Sequence, residues 1–96
     1  MSNAVEIGQN IVALRKAERL SQEQLALRAG MSVSFLRHIE HGRANPSLES
    51  LERLAEVLDV DVWVFMLLQK NDESILSILG ELRHTMGAEI IKTVVV

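Results

Sequence analysis

Few residues in this 96-residue chain could do chemistry, and most of them fall in its first half. Arg37 carries the sharpest recognition group. Its planar fork of N–H donors matches the O6 and N7 acceptors of guanine, and it matches the oxygens of a phosphate equally well. On a helix over 32–40, positions 33, 34, 37 and 38 share one exposed face, so Val33, Ser34 and His38 accompany Arg37. A valine can pack on a thymine methyl, and a serine hydroxyl can bond to several bases. His38 and His41 are three apart and could form half of a metal site. No third or fourth ligand accompanies them, His84 being far along the chain, so no metal is assigned. Glu49, Glu52 and Glu56 follow helical spacing and read as a solvated face. The chain has no nucleophile–base constellation, glycine-rich phosphate loop or cofactor motif, so no residue is assigned to catalysis and no cofactor is expected.

The charge balance sharpens this reading. The net charge is -3, which looks unsuited to a polyanionic partner until it is divided along the chain. Residues 1–45 carry six basic side chains (Arg15, Lys16, Arg19, Arg28, Arg37, Arg43) against four acidic ones, a balance of +2. Residues 46–96 carry four basic against nine acidic, a balance of -5. The first part suits phosphate and the second avoids it. Hydrophobic residues at 48% and charged residues at 24% are the balance of an ordinary globular protein, and the length suits one domain with a short appendage. The absence of cysteine excludes disulfides and thiolate zinc sites, and a cytoplasmic location fits best. The longest uncharged apolar run, 62–68, is far short of the roughly 20 residues that span a bilayer, so no membrane partner is expected.

The elements that would position these side chains are helices. Ile7, Ile11 and Leu14 recur at helical spacing and predict a first helix over 5–18. The opening Ser2-Asn3-Ala4 resembles what tag removal leaves behind and is set aside from the fold. Ser21 followed by Gln24 is a capping-box pattern that starts a second helix, and Gly30 is suited to end it. Ser32 caps a third helix that carries Val33, Leu36 and Ile39 toward a core and ends at Gly42. After Asn45-Pro46, Ser47 starts a fourth helix with Leu48, Leu51, Leu54, Ala55 and Leu58 as its apolar stripe. Asp61 caps a fifth helix through Leu68. That segment is apolar nearly all round, more than a small monomer can bury, and is expected to meet another subunit. Ile75, Leu79, Leu82 and Met86, spaced by four, three and four residues, predict a sixth helix over 72–86. For 88–96, rich in Ile and Val, periodicity leaves a strand and a continuing helix both open.

The segment 22–41 has the length of a helix–turn–helix unit. Ala26 is small where two helices must cross closely, and Gly30 makes the turn. The run Leu20-Ser-Gln-Glu-Gln-Leu-Ala-Leu-Arg-Ala-Gly30, then Ile39-Glu40-His41-Gly42-Arg43 and Asn45-Pro46-Ser47-Leu48, resembles the Cro/phage-repressor (XRE) helix-turn-helix family over residues 7–68. The resemblance implies an all-α fold, a five-helix repressor-like DNA-binding domain over 5–70; the rest of the chain, 71–96, reads as a C-terminal extension of one further helix, with a short terminal strand left open. It implies that Ser32, Val33, Ser34, Arg37 and His38 face base edges in the major groove. It also implies that Ser21, Gln22, His41, Arg43 and Asn45 contact phosphates, the positive end of the second helix adding to Gln22. Arg15 and Glu40 match a partly buried salt bridge between the first and third helices. Phe35 reads as packing surface.

The function this implies is sequence-specific binding of double-stranded DNA by a homodimeric transcriptional regulator, more a repressor than an activator, on a two-fold operator. Trp63, Phe65, Met66, Ile75, Leu79 and Leu82 are the expected dimer interface. The alternative is an antitoxin that holds a toxin, its protein partner, through the extension and represses its own operon. A restriction-modification controller differs from the first reading mainly in genomic setting.

Overall fold

The computed structural model describes residues 3–67, and within them the chain is helical throughout its regular structure. The order is α1 (Ala4–Ala17), α2 (Gln22–Ala29), α3 (Val33–Glu40), α4 (Leu48–Leu58) and α5 (Val64–Leu67). Each of the first four helices begins where a short polar side chain satisfies an orphan backbone N–H. Ser21 and Gln24 form the expected reciprocal capping box of α2. Ser32 Oγ accepts from the Phe35 N–H at 3.0 Å, and Ser47 Oγ accepts from the Ser50 N–H at 3.1 Å.

Asn3 corrects the sequence reading. It was set aside with Ser2 and Ala4, yet it caps α1: its side chain accepts from the Glu6 N–H at 2.9 Å, and Glu6 reaches back to the Asn3 N–H. Asn3 followed by Glu6 is the same reciprocal pattern as Ser21 with Gln24.

Gly30 ends α2 in the left-handed conformation (φ 71), and the Met31 N–H turns back to the Ala26 carbonyl at 3.0 Å. Gly42 repeats the device after α3 with φ 71, and the Arg43 N–H returns to the His38 carbonyl at 2.8 Å. These two turns set where α3 starts and where the chain leaves it.

The core is one cluster. Ile11 and Leu14 of α1, Leu25, Ala26 and Ala29 of α2, Leu36 and Ile39 of α3, and Leu51, Leu54, Ala55 and Leu58 of α4 close on Val60, Val64 and Phe65. Helix α1 packs on α3, α4 and α5, while α2 packs on α3 and α4. Two α1 residues that periodicity ignored make this docking close. A Cβ on Gly8 would overlap the Ile39 carbonyl oxygen and lie 2.7 Å from that of Glu40, so α1 meets the last turn of α3 backbone to backbone. Asn10, buried, donates to the Phe65 carbonyl at 2.6 Å and ties α5 to α1.

Three expectations change. Leu48, assigned to the stripe of α4, is 60% exposed at the first position of the helix, and the buried stripe begins at Leu51. Among the described residues the fifth helix starts at Val64 rather than directly after Asp61, with Val62 and Trp63 in the turn before it. Phe65, expected at a dimer interface, is fully buried in the chain's own core, so it offers nothing to a second subunit. Trp63 and Met66 keep partly exposed side chains. The expected sixth helix, the 88–96 segment and the interface residues Ile75, Leu79 and Leu82 lie outside the described residues, as does the whole of the 71–96 extension.

Candidate nucleic-acid interface

Helix α3 is partitioned along its length. Leu36, Ile39 and Glu40 are buried, while Ser34, Arg37 and His38 are exposed. This is the division that helical geometry imposes when a short helix lies with one stripe on a core. Val33 is half-buried against the core, so it serves packing and leaves only part of its side chain outward. Phe35 packs on the core as expected. Ser32 is exposed, with its oxygen engaged as the cap of α3; its hydroxyl proton remains a donor to the outside. Ser21 stands in the same position at α2.

Beneath α3 lies a chain of polar side chains. Arg15 Nε donates to Glu40 Oε2 at 2.7 Å and Arg15 Nη2 to Glu40 Oε1 at 3.2 Å, a bidentate pair whose side chains are 11% and 3% exposed. A further Arg15 donor, Nη1, reaches the Leu20 carbonyl at 2.9 Å. The pair therefore joins the end of α1, the loop before α2 and the end of α3. Gln22 Nε2 adds a donor to Glu40 Oε1 at 2.8 Å, and Gln22 Oε1 accepts from Arg37 Nε at 3.2 Å. A carboxylate only accepts, so the amide of Gln22 must turn its NH2 to Glu40 and its oxygen to Arg37. One amide hydrogen of Gln22 stays free of this chain. Arg37 Nη2 also lies 3.8 Å from Glu23 Oε2.

The structure thus brings Gln22, at the start of α2, against Arg37, in the middle of α3. In the sequence Gln22 reads as a phosphate contact and Arg37 as a base reader, and the 15-residue separation hides their contact. His41 joins from the other end: its Nδ1 lies 2.8 Å from the Arg37 carbonyl, so a protonated Nδ1 donates there and Nε2 is turned away. Arg43 and Asn45 follow on the loop with exposed side chains. Among the described residues no group of three His, Asp or Glu side chains is placed to hold a metal ion, and no helix is long and apolar enough to cross a membrane.

Comparison with known proteins gives this geometry its context. The helix-turn-helix family model matches residues 11–62, just over half of the chain. The immunity repressor protein of Bacillus phage phi105 is 48% identical over 56 residues, covering 58% of this chain and 39% of that protein. The transcriptional regulator SinR of Bacillus licheniformis is 42% identical over 69 residues, covering 71% of this chain and 60% of that protein. The chain therefore spans less than two thirds of the length of either relative. Among solved structures, the restriction-modification controller protein C.AhdI of Aeromonas hydrophila superposes with a TM-score of 0.63 at 37% identity, over 65% of this chain and 94% of that one. The named relatives are regulators, repressors and a controller, which leaves the antitoxin alternative without support. With its capped α2, left-handed Gly30 turn and α3 seated on Leu36 and Ile39, this chain belongs to the helix-turn-helix family of the Cro/phage-repressor (XRE) type.

Proposed function

We propose that this chain represses transcription as a homodimer by binding a two-fold DNA operator, with α3 in the major groove of each half-site. The observation that carries the reading is the exposed Ser34, Arg37 and His38 face of a helix that buries Leu36, Ile39 and Glu40 on its other side. Ser32 and Val33 extend that face toward the helix start, where base contacts concentrate in this docking geometry. Arg37 and Ser34 are the principal readers, with Val33 contributing what remains outside the core. Ser21, Gln22, His41, Arg43 and Asn45 contact the sugar-phosphate backbone at the two ends of the helix pair and set the register without specifying sequence. The free amide hydrogen of Gln22, at the positive end of α2, suits a phosphate oxygen. Domain boundaries at 5–70 and 71–96 go with this reading, the second part joining Trp63 and Met66 in the dimer interface.

In vitro selection of duplex sites tests the proposal in one step. The expected result is an inverted repeat whose half-sites lie about one helical turn apart. A selection with no enriched sequence, or a single unrepeated half-site, would contradict operator binding by a dimer. A controller of restriction-modification genes is the second reading, favoured by the likeness to C.AhdI over 94% of that chain. Selected sites lying upstream of neighbouring nuclease and methyltransferase genes would single it out.

A further inference from the structure

Arg37 is not free over α3. Its Nε is held by Gln22 Oε1 at 3.2 Å, and its Nη2 faces Glu23 Oε2 at 3.8 Å, both partners being supplied by the first turn of α2. The side chains of Arg37 and Glu23 are 50% and 68% exposed, so the ion pair sits in water at the edge where the helix pair would meet DNA. An exposed pair of this kind is weak and easily exchanged. We propose that Glu23 is a positioning residue that sets sequence specificity by competing with phosphate for Arg37. The proposal rests on the DNA-binding reading above.

A bare arginine beside a duplex grips phosphates of any sequence, because that attraction carries no sequence information. A carboxylate beside it opposes this in two ways: it occupies the guanidinium and it repels the phosphate that would replace it. Guanine differs in charge. Its O6 and N7 accept two N–H groups side by side, as phosphate oxygens do, but the base is neutral, so the arginine exchanges the bonds it gives up for a matched pair that Glu23 does not repel. Glu23 therefore weakens binding to all DNA, and weakens it least where Arg37 finds its base. Specificity is a difference of affinities, and a repulsive element placed against the wrong partner raises it as effectively as a new attraction to the right one. Gln22 supplies the complementary constraint: Glu40 fixes its amide, so its oxygen holds the inner edge of the guanidinium while Glu23 holds the outer one.

The test measures binding of wild type, Glu23→Gln, Arg37→Ala and the double variant to a selected operator and to an unrelated duplex of equal length. Glu52→Gln, on the exposed side of α4, reports the effect of removing one negative charge elsewhere. Glu23→Gln should tighten binding to the unrelated duplex about threefold to fivefold and to the operator less than twofold, on the scale of one exposed ion pair. The operator preference then falls, and in the Arg37→Ala background this difference disappears. Glu52→Gln should move both duplexes by one common, smaller factor. Equal tightening on both duplexes by Glu23→Gln, or a loss of preference that persists without Arg37, would overturn the role of Glu23 while leaving the DNA-binding reading intact. If Arg37→Ala left operator affinity unchanged in a folded protein, the reading itself would fail and the proposal with it.

Discussion

The two faces of α3 are held in opposite ways. Inward, Leu36 and Ile39 are buried, the Ile39 and Glu40 carbonyls lie against Gly8 of α1, and Glu40 receives donors from Arg15 and Gln22. Outward, Arg37 is held by one 3.2 Å hydrogen bond to Gln22 and a 3.8 Å approach to Glu23, in water. Contacts without solvent are hard to rearrange, whereas exposed polar contacts exchange with little cost. A reading element needs both: a backbone that stays where the scaffold puts it, and side chains that can leave their resting partners for a ligand. Helix α3 divides these requirements between its two sides.

The comparison is broken most severely at Glu40. Glu40→Ala leaves the Arg15 guanidinium uncompensated with 11% of its side chain exposed, and should cost about 3 to 5 kcal/mol of unfolding free energy, read by denaturant titration. A smaller loss comes from Gly8→Ala. The added Cβ meets backbone rather than a flexible side chain, so α1 must move off the end of α3, at about 2 to 3 kcal/mol against an otherwise favourable helix former. Asn10→Ala removes the donor to the Phe65 carbonyl and should cost about 1 to 2 kcal/mol, with the loss seen first as faster amide exchange in α5. Gly8 and Asn10 do not touch the exposed face, so those two variants should lower operator affinity only through the folded fraction, whereas Glu40→Ala also releases the Gln22 amide that holds Arg37.

How much of this could be read from the sequence follows the same division. The helices, their serine caps, the Gly30 turn and the inward set of Leu36 and Ile39 depend on local pattern, and local pattern is what a sequence displays. The bidentate Arg15–Glu40 pair was accessible only through the family resemblance, since 25 residues separate its members. Gly8 carried a faint signal, a glycine inside a helical stripe, but its reason is a carbonyl some 30 positions away. Phe65 was misplaced because a run that is apolar on every side has no period to say which face turns inward; Asn10 decides it by holding the Phe65 carbonyl. Asn3 was lost to a resemblance with a cloning remnant, although Asn3 and Glu6 carry the same spacing that identified Ser21 and Gln24. The contacts of Arg37 with Gln22 and Glu23 are tertiary and exposed, and neither periodicity nor burial pattern encodes them.

The most direct test of the central claim is operator affinity of Arg37→Ala, measured by fluorescence anisotropy beside its melting temperature. The exposed face predicts an unchanged melting temperature within a degree or two and a roughly fivefold or greater loss of affinity, on the scale of about 1 to 3 kcal/mol for a bidentate base contact. An affinity within twofold of wild type, in a protein that melts as wild type does, would contradict the assignment of α3 as the reading helix.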